Sequence, residues 1–191
     1  MTRVNTGFDP IPYPENKNNN PHVYFSMGTT AENVAKKYKI SRIEQQEFAL
    51  HSHEKAHYAQ NQGKFDSEIV SINNCKVDGN IRPNSTMDKL NKLKPAFDSY
   101  GTVTAATASA LTDGAAVTLI CEENFAKQNK LEIYGRIKST AVEGCDPNFM
   151  GLGPISATKK ALKRADLFQN WRLSAPEHRP LQSATQHLGA L

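Results

Sequence analysis

The stretch Gly101–Ile120, GTVTAATASALTDGAAVTLI, holds six alanines and a single charge, Asp113. Small side chains let a backbone come close to something, and three neighbours qualify: another strand, another subunit or a ligand. The stretch runs into GAAVTLIC at 114–121, and LEIYGRIKSTAV follows at 131–142. Both are rich in β-branched and apolar residues, which predicts strands, with a helical EENFAKQNK between them.

Working outward, helix signals are clear on the N-terminal side. Thr29 with Glu32 three positions on reads as a capping box that opens an amphipathic AENVAKKYKI through Val34 and Tyr38. Ser41 with Glu44 opens a longer helix over about 42–61, which Gly63 closes. SEIVSI at 67–72 reads as a short strand, and Ser85 with Asp88 starts a third helix that Pro95 ends. SATKKALKRADL at 156–167 reads as a helix with a basic face. Strands alternating with helices predict an α/β fold with a layered mixed sheet. Residues 1–22, with four prolines and an NKNNNP run, read as an extended polar arm.

Composition narrows the function. The net charge of +4, from 23 Lys+Arg against 19 Asp+Glu, suits an anionic ligand but is too mild and dispersed to indicate nucleic acid. No apolar run approaches the roughly 18 residues of a membrane span. MTRVNTGFDPIPYP carries neither the apolar stretch of a signal peptide nor an Arg-rich transit helix. Cys75, Cys121 and Cys145 are widely spaced and odd in number, which points to free thiols in a reducing, cytoplasmic compartment.

Two patterns are set aside. HEKAH, His53 to His57, fits a zinc-protease template with both imidazoles on one helix face. Its flanks are polar and no glycine-spaced third histidine follows, so the spacing reads as coincidental and no metal is expected. None of the three cysteines has the helix-start or glycine-rich setting of an activated thiolate.

What remains is a series of segments in one order: SMGTTAENVAKKY, SRIEQQEFALHSHEKA, GKFDSEIV, IRPNSTMDKLNKLKPAF, GTVTAATASALTDGAA and MGLGPISATKKALKRADL. The series resembles the thiolase family, the acetyl-CoA C-acyltransferases, from the first residues to about Leu167. The resemblance implies an extended arm over 1–24, a loop domain facing coenzyme A over 25–105, a partial core over 106–167 and a divergent tail over 168–191. It also implies an internal piece of a protein about twice as long, with a tail whose divergence suggests a shifted reading frame. In the family the segment matching 101–120 lines the pantetheine channel, so the small residues would face a ligand.

The same resemblance implies site residues. Arg82 matches an arginine beside the nucleotide end of coenzyme A, and Ser109 a serine that hydrogen-bonds the pantetheine arm. Leu90, Leu93 and Phe97 match apolar residues under the nucleotide, and their spacing of three and four also suits one helix face. Met27 and Met150 match residues lining the acyl end. Departures from the family are Ala106 and Ala110 for glycines, Ser26 where histidine is frequent, and Lys89 on the nucleotide side.

The implied function is acyl-CoA acyltransfer through a cysteine thioester, with coenzyme A as a substrate and no cofactor. A homo-oligomer is implied for the full-length family form. The family nucleophile would lie before Met1, and its second cysteine and histidine beyond Leu167, so no catalytic residue is carried over. A non-catalytic coenzyme A-binding or subunit-interaction protein is the alternative. Mitochondrial or peroxisomal settings stay open beside the cytoplasm.

Overall fold

A computed structural model describes residues 14–110, 112 and 114–167. The tail over 168–191 and most of the arm over 1–24 therefore lie outside the described residues. The described helices are α1 (Pro14–Asn19), α2 (Met27–Tyr38), α3 (Arg42–Asn61), α4 (Met87–Asn91), α5 (Glu123–Gln128) and α6 (Gly153–Arg164). Short 3-10 turns at Pro21–Tyr24 and Pro147–Leu152 join them.

The local signals account for most helix starts. The Ser41–Glu44 capping box is formed in full, with the Ser41 hydroxyl accepting the Glu44 N–H and the Glu44 carboxylate accepting the Ser41 N–H. Gly63, at φ +63, takes the left-handed conformation that ends α3. Helix α2 differs from expectation. Ser26, not Thr29, caps α2 by accepting the Thr29 N–H, and Glu32 is spent elsewhere. The third helix likewise starts one residue late, at the Thr86 cap, and ends at Asn91, short of Pro95. Leu93 and Phe97 therefore lie beyond α4 and do not share a helix face with Leu90.

The α/β fold with a layered mixed sheet is not what the chain forms. Among the described residues there is no β-strand, only the isolated bridges Ile72–Cys75 and Pro95–Thr104. Segments 67–72, 114–121 and 131–142 are not strands. A β-rich composition favours extended backbone, but a strand exists only where a neighbour supplies its hydrogen-bond partners. Here Val117, Leu119 and Tyr134 are instead 97%, 73% and 91% exposed. Around Ile72, Asn73 and Asn74 take positive φ of 47° and 64°, giving the tight turn of a hairpin without its ladder.

Contacts with α6 do for 139–143 what a ladder would otherwise do. The Ser139 hydroxyl donates to the Ala161 carbonyl at 2.6 Å, and the Arg164 guanidinium to the Thr140 carbonyl at 2.6 Å. Lys160 reaches both the Val142 carbonyl and the Glu143 carboxylate. The basic face expected on this helix thus holds its own upstream segment.

The core is small. Ala31, Val34 and Val103 are buried together, with Ile40, Ala108, Phe149, Met150 and Leu152 packed against them. One apolar face of α2 thereby meets the 147–152 turn and the start of the alanine-rich stretch. The Lys37 ammonium lies 4.0 Å from the Phe149 ring centre, adding a cation–π contact on the rim. Among the described residues no helix is long and apolar enough to cross a membrane.

Candidate functional site

Polar clamps, more than apolar packing, place the walls of the main cleft. The Glu32 carboxylate on α2 accepts the backbone N–H of Thr102 at 2.9 and 3.0 Å and that of Val103 at 2.8 Å. The Thr102 hydroxyl donates to the same carboxylate and accepts from Gln45 on α3 at 2.9 Å. Charge-assisted bonds of this kind are shorter and stronger than neutral ones. Thr104 is fully buried, and its carbonyl accepts the N–H groups of Thr107 and Ala108 in a single turn. Residues 105–110, which overlap that turn, line one cleft together with residues of α3.

A second clamp fixes α4. The Arg42 guanidinium on α3 donates to the carbonyls of Leu90, Asn91 and Leu93 at 3.0, 3.3 and 2.6 Å. Carbonyls at a helix C-terminus have no partner within the helix, and a cation satisfies them well. Leu90 is buried against this joint.

Between the walls lies a cleft of about 860 Å³. Phe48, Leu50 and His53 of α3 line one side, and Leu90 and Leu93 continue it. The loop around Arg82, with Asn84 and Lys89, adds to the lining. Ala105, Ala106, Ala108, Ser109 and Ala110 line it as well. Arg82 and Lys89 bring positive charge to the lining, and no carboxylate is among the described lining residues. The Lys89 ammonium donates to the Asn84 carbonyl at 2.7 Å, which steadies the loop and leaves two N–H groups for another acceptor. The surface is chemically suited to an anionic ligand with a slender, polar extension.

Four of the expected site residues meet here: Arg82, Leu90, Leu93 and Ser109. Phe97 does not line the cleft; its ring lies over Gly28, the residue after Met27. Met150 packs on the core cluster of Ala31, Val34 and Val103. Cys75, Cys121 and Cys145 are exposed, and none is a described lining residue. Cys75 donates to the Val77 carbonyl and Cys145 to that of Met150, each a weak contact near 3.7 Å or below.

The two HEKAH imidazoles have separate partners. His53 Nδ1 accepts the Arg82 backbone N–H at 3.2 Å, whereas His57 Nε2 meets Asn61 at 3.0 Å. Among the described residues no group of three or more His, Cys, Asp or Glu could hold a metal ion. The His53–Arg82 contact and the two clamps escaped the sequence reading. They join residues 29 to 71 positions apart, and no local spacing announces such pairs.

The sequence profile described as "Thiolase, N-terminal domain" matches residues 17–124, a span that contains the described lining residues of the cleft. A 3-ketoacyl-CoA thiolase of Psychrobacter arcticus is 48% identical over 151 residues, 74% of this chain and 39% of that protein. One of Vibrio parahaemolyticus matches to the same extent. The crystal structure of human mitochondrial 3-ketoacyl-CoA thiolase in complex with CoA superposes with a TM-score of 0.69 at 39% identity. It is matched over 78% of this chain and 38% of the human one. The Bacillus anthracis acetyl-CoA acetyltransferase superposes with a TM-score of 0.68 at 34% identity, over 86% and 50% of the two chains. The chain thus spans about two-fifths of the length of the curated relatives it matches. With the profile covering more than half of its residues and solved relatives following the same path, the chain belongs to the thiolase family.

Proposed function

We propose that the cleft takes the coenzyme A portion of an acyl-CoA. The chain would thereby supply coenzyme A-contacting surface to thiolase-type acyl transfer, in the direction of 3-ketoacyl-CoA thiolysis or of acetyl-CoA condensation. The observation that carries this reading is the make-up of the cleft's described lining: Arg82 and Lys89 with no carboxylate, together with a run of alanines around Ser109. Phosphates favour the cationic side chains, and a guanidinium can also stack on adenine. The narrow pantetheine arm fits against backbone bared by small side chains, with its amides in reach of Ser109. The human relative that superposes on this chain is described in complex with CoA, which supports the assignment.

Leu90 and Leu93 serve in this reading as the apolar floor under the nucleotide. Met27 and Met150 belong to the acyl end, and Phe97, which the resemblance puts under the nucleotide, lies over Gly28 and outside the described lining. No residue of this chain is assigned the covalent step. A self-associating assembly, as the family resemblance implies, would bring such surfaces together.

A second reading, a coenzyme A-binding or subunit-interaction protein without turnover, draws on the absence of cysteine from the described lining. Calorimetric titration of the chain with coenzyme A tests the shared claim. Arg82→Ala removes a charge-assisted contact, on the order of 1.5–3 kcal/mol, and Ser109→Ala a neutral one of about 0.5–1.5 kcal/mol. The Arg82 effect shrinks as salt rises, because screening acts on the charge. An assay of acetoacetyl-CoA loss with added coenzyme A is expected to show no turnover by the chain alone, since no residue of it is assigned the covalent step; turnover above buffer would contradict that assignment.

A further inference from the structure

We propose that His53, through its neutral imidazole, is the positioning residue that holds the Arg82 loop against the cleft; this rests on the coenzyme A reading of that cleft. A backbone N–H can only donate, so the 3.2 Å contact from Arg82 N fixes His53 Nδ1 as a lone-pair acceptor and places the ring proton on Nε2. The contact spans 29 residues and meets Arg82 at its own main chain, so it sets where the guanidinium starts from. His53 is half-buried on α3 and lines the same cleft as Arg82.

The neighbour of His53 one turn on, His57, is engaged instead with Asn61. The HEKAH pattern therefore has a use other than metal: its first histidine anchors a loop.

The test uses three forms of the chain and two readouts. His53→Leu keeps bulk without an acceptor. His53→Asn offers Oδ1 near the position of Nδ1. The Arg82 amide, followed by NMR hydrogen exchange at pH 8, reads the anchor without any ligand. Its exchange is expected to be slow in the parent chain and in His53→Asn, and faster in His53→Leu. Coenzyme A binding at pH 8 is expected to weaken roughly three- to tenfold in His53→Leu and to be restored by His53→Asn, as the loss and return of one hydrogen bond would give. An Arg82 amide whose exchange is indifferent to His53→Leu would overturn the proposal. Equal weakening in the Leu and Asn variants would also overturn it, since the acceptor would then not be what matters. If the parent chain bound no coenzyme A while the amide behaved as expected, the anchor would stand and the coenzyme A reading would fall.

Discussion

The Glu32 carboxylate accepts the Val103 N–H at 2.8 Å, a bond from the middle of α2 to a residue 71 positions on. With Thr102 adding two backbone contacts and a hydroxyl, this one side chain sets where the alanine-rich wall begins.

Replacing Glu32 by Ala leaves those N–H groups without their acceptor, in a part-buried site. A loss of about 2–4 kcal/mol is expected, since each bond to a charged group contributes on the order of 1.5–3 kcal/mol and the set is not additive. Glu32→Gln keeps one acceptor oxygen and is expected to lose about half as much. Urea unfolding of the three forms checks the order. The exposed Glu44→Gln, which loses only part of a helix cap, is expected to cost less than Glu32→Ala, about 0.5–1 kcal/mol.

Gly28 touches Phe97 so closely that a Cβ added there would land on the ring. The backbone of α2 at this point is ordinary, so the constraint is space and not φ. Gly28→Ala is expected to displace Phe97 and to cost about 1–3 kcal/mol, the usual penalty of overpacking. Phe97→Ala in the same chain is expected to relieve most of that penalty. A double-mutant cycle by thermal melting reads the coupling directly.

Much of the helical part was legible because its signals are local. Ser41 and Glu44 sit three apart and form the box their spacing implies, and Gly63 ends the helix as glycine after a periodic run should. Ser26 and Thr29 show the limit of such signals. Two hydroxyls compete for one cap, and Glu32, the box partner Thr29 would need, is recruited by Thr102 and Val103. The sheet was misread because composition speaks of backbone conformation and not of partners. Val117 and Tyr134 look like strand residues and stand exposed without a ladder. For the site, Arg82 and Ser109, which the resemblance named, both line the cleft. Helix spacing put Leu90, Leu93 and Phe97 on one helix face, but α4 stops at Asn91; Leu90 and Leu93 still line the cleft and Phe97 does not.

Glu143 gives the chain a pH-dependent tie. The Lys160 hydrogen bond and then its charge hold the Glu143 carboxyl below its ordinary value of 4.5. Because the folded value is depressed, the contribution is present above the unfolded value and is lost as pH falls through the folded one. The Glu143 carboxyl resonance is expected to titrate below pH 4.5, and Lys160→Met is expected to move it up toward that value. Stability should change little, as exposed pairs contribute modestly.

The central claim is that coenzyme A lies between Arg82 and Ser109. The most direct measurement is an NMR titration of the isotope-labelled chain with coenzyme A, following every assigned amide. The account predicts saturable shifts concentrated at residues 80–85, Lys89 and 105–110, smaller for dephospho-coenzyme A at the Arg82 end, and lost in Arg82→Ala. Shifts centred on the 131–142 segment or α6, or no saturable shifts at all, would contradict it.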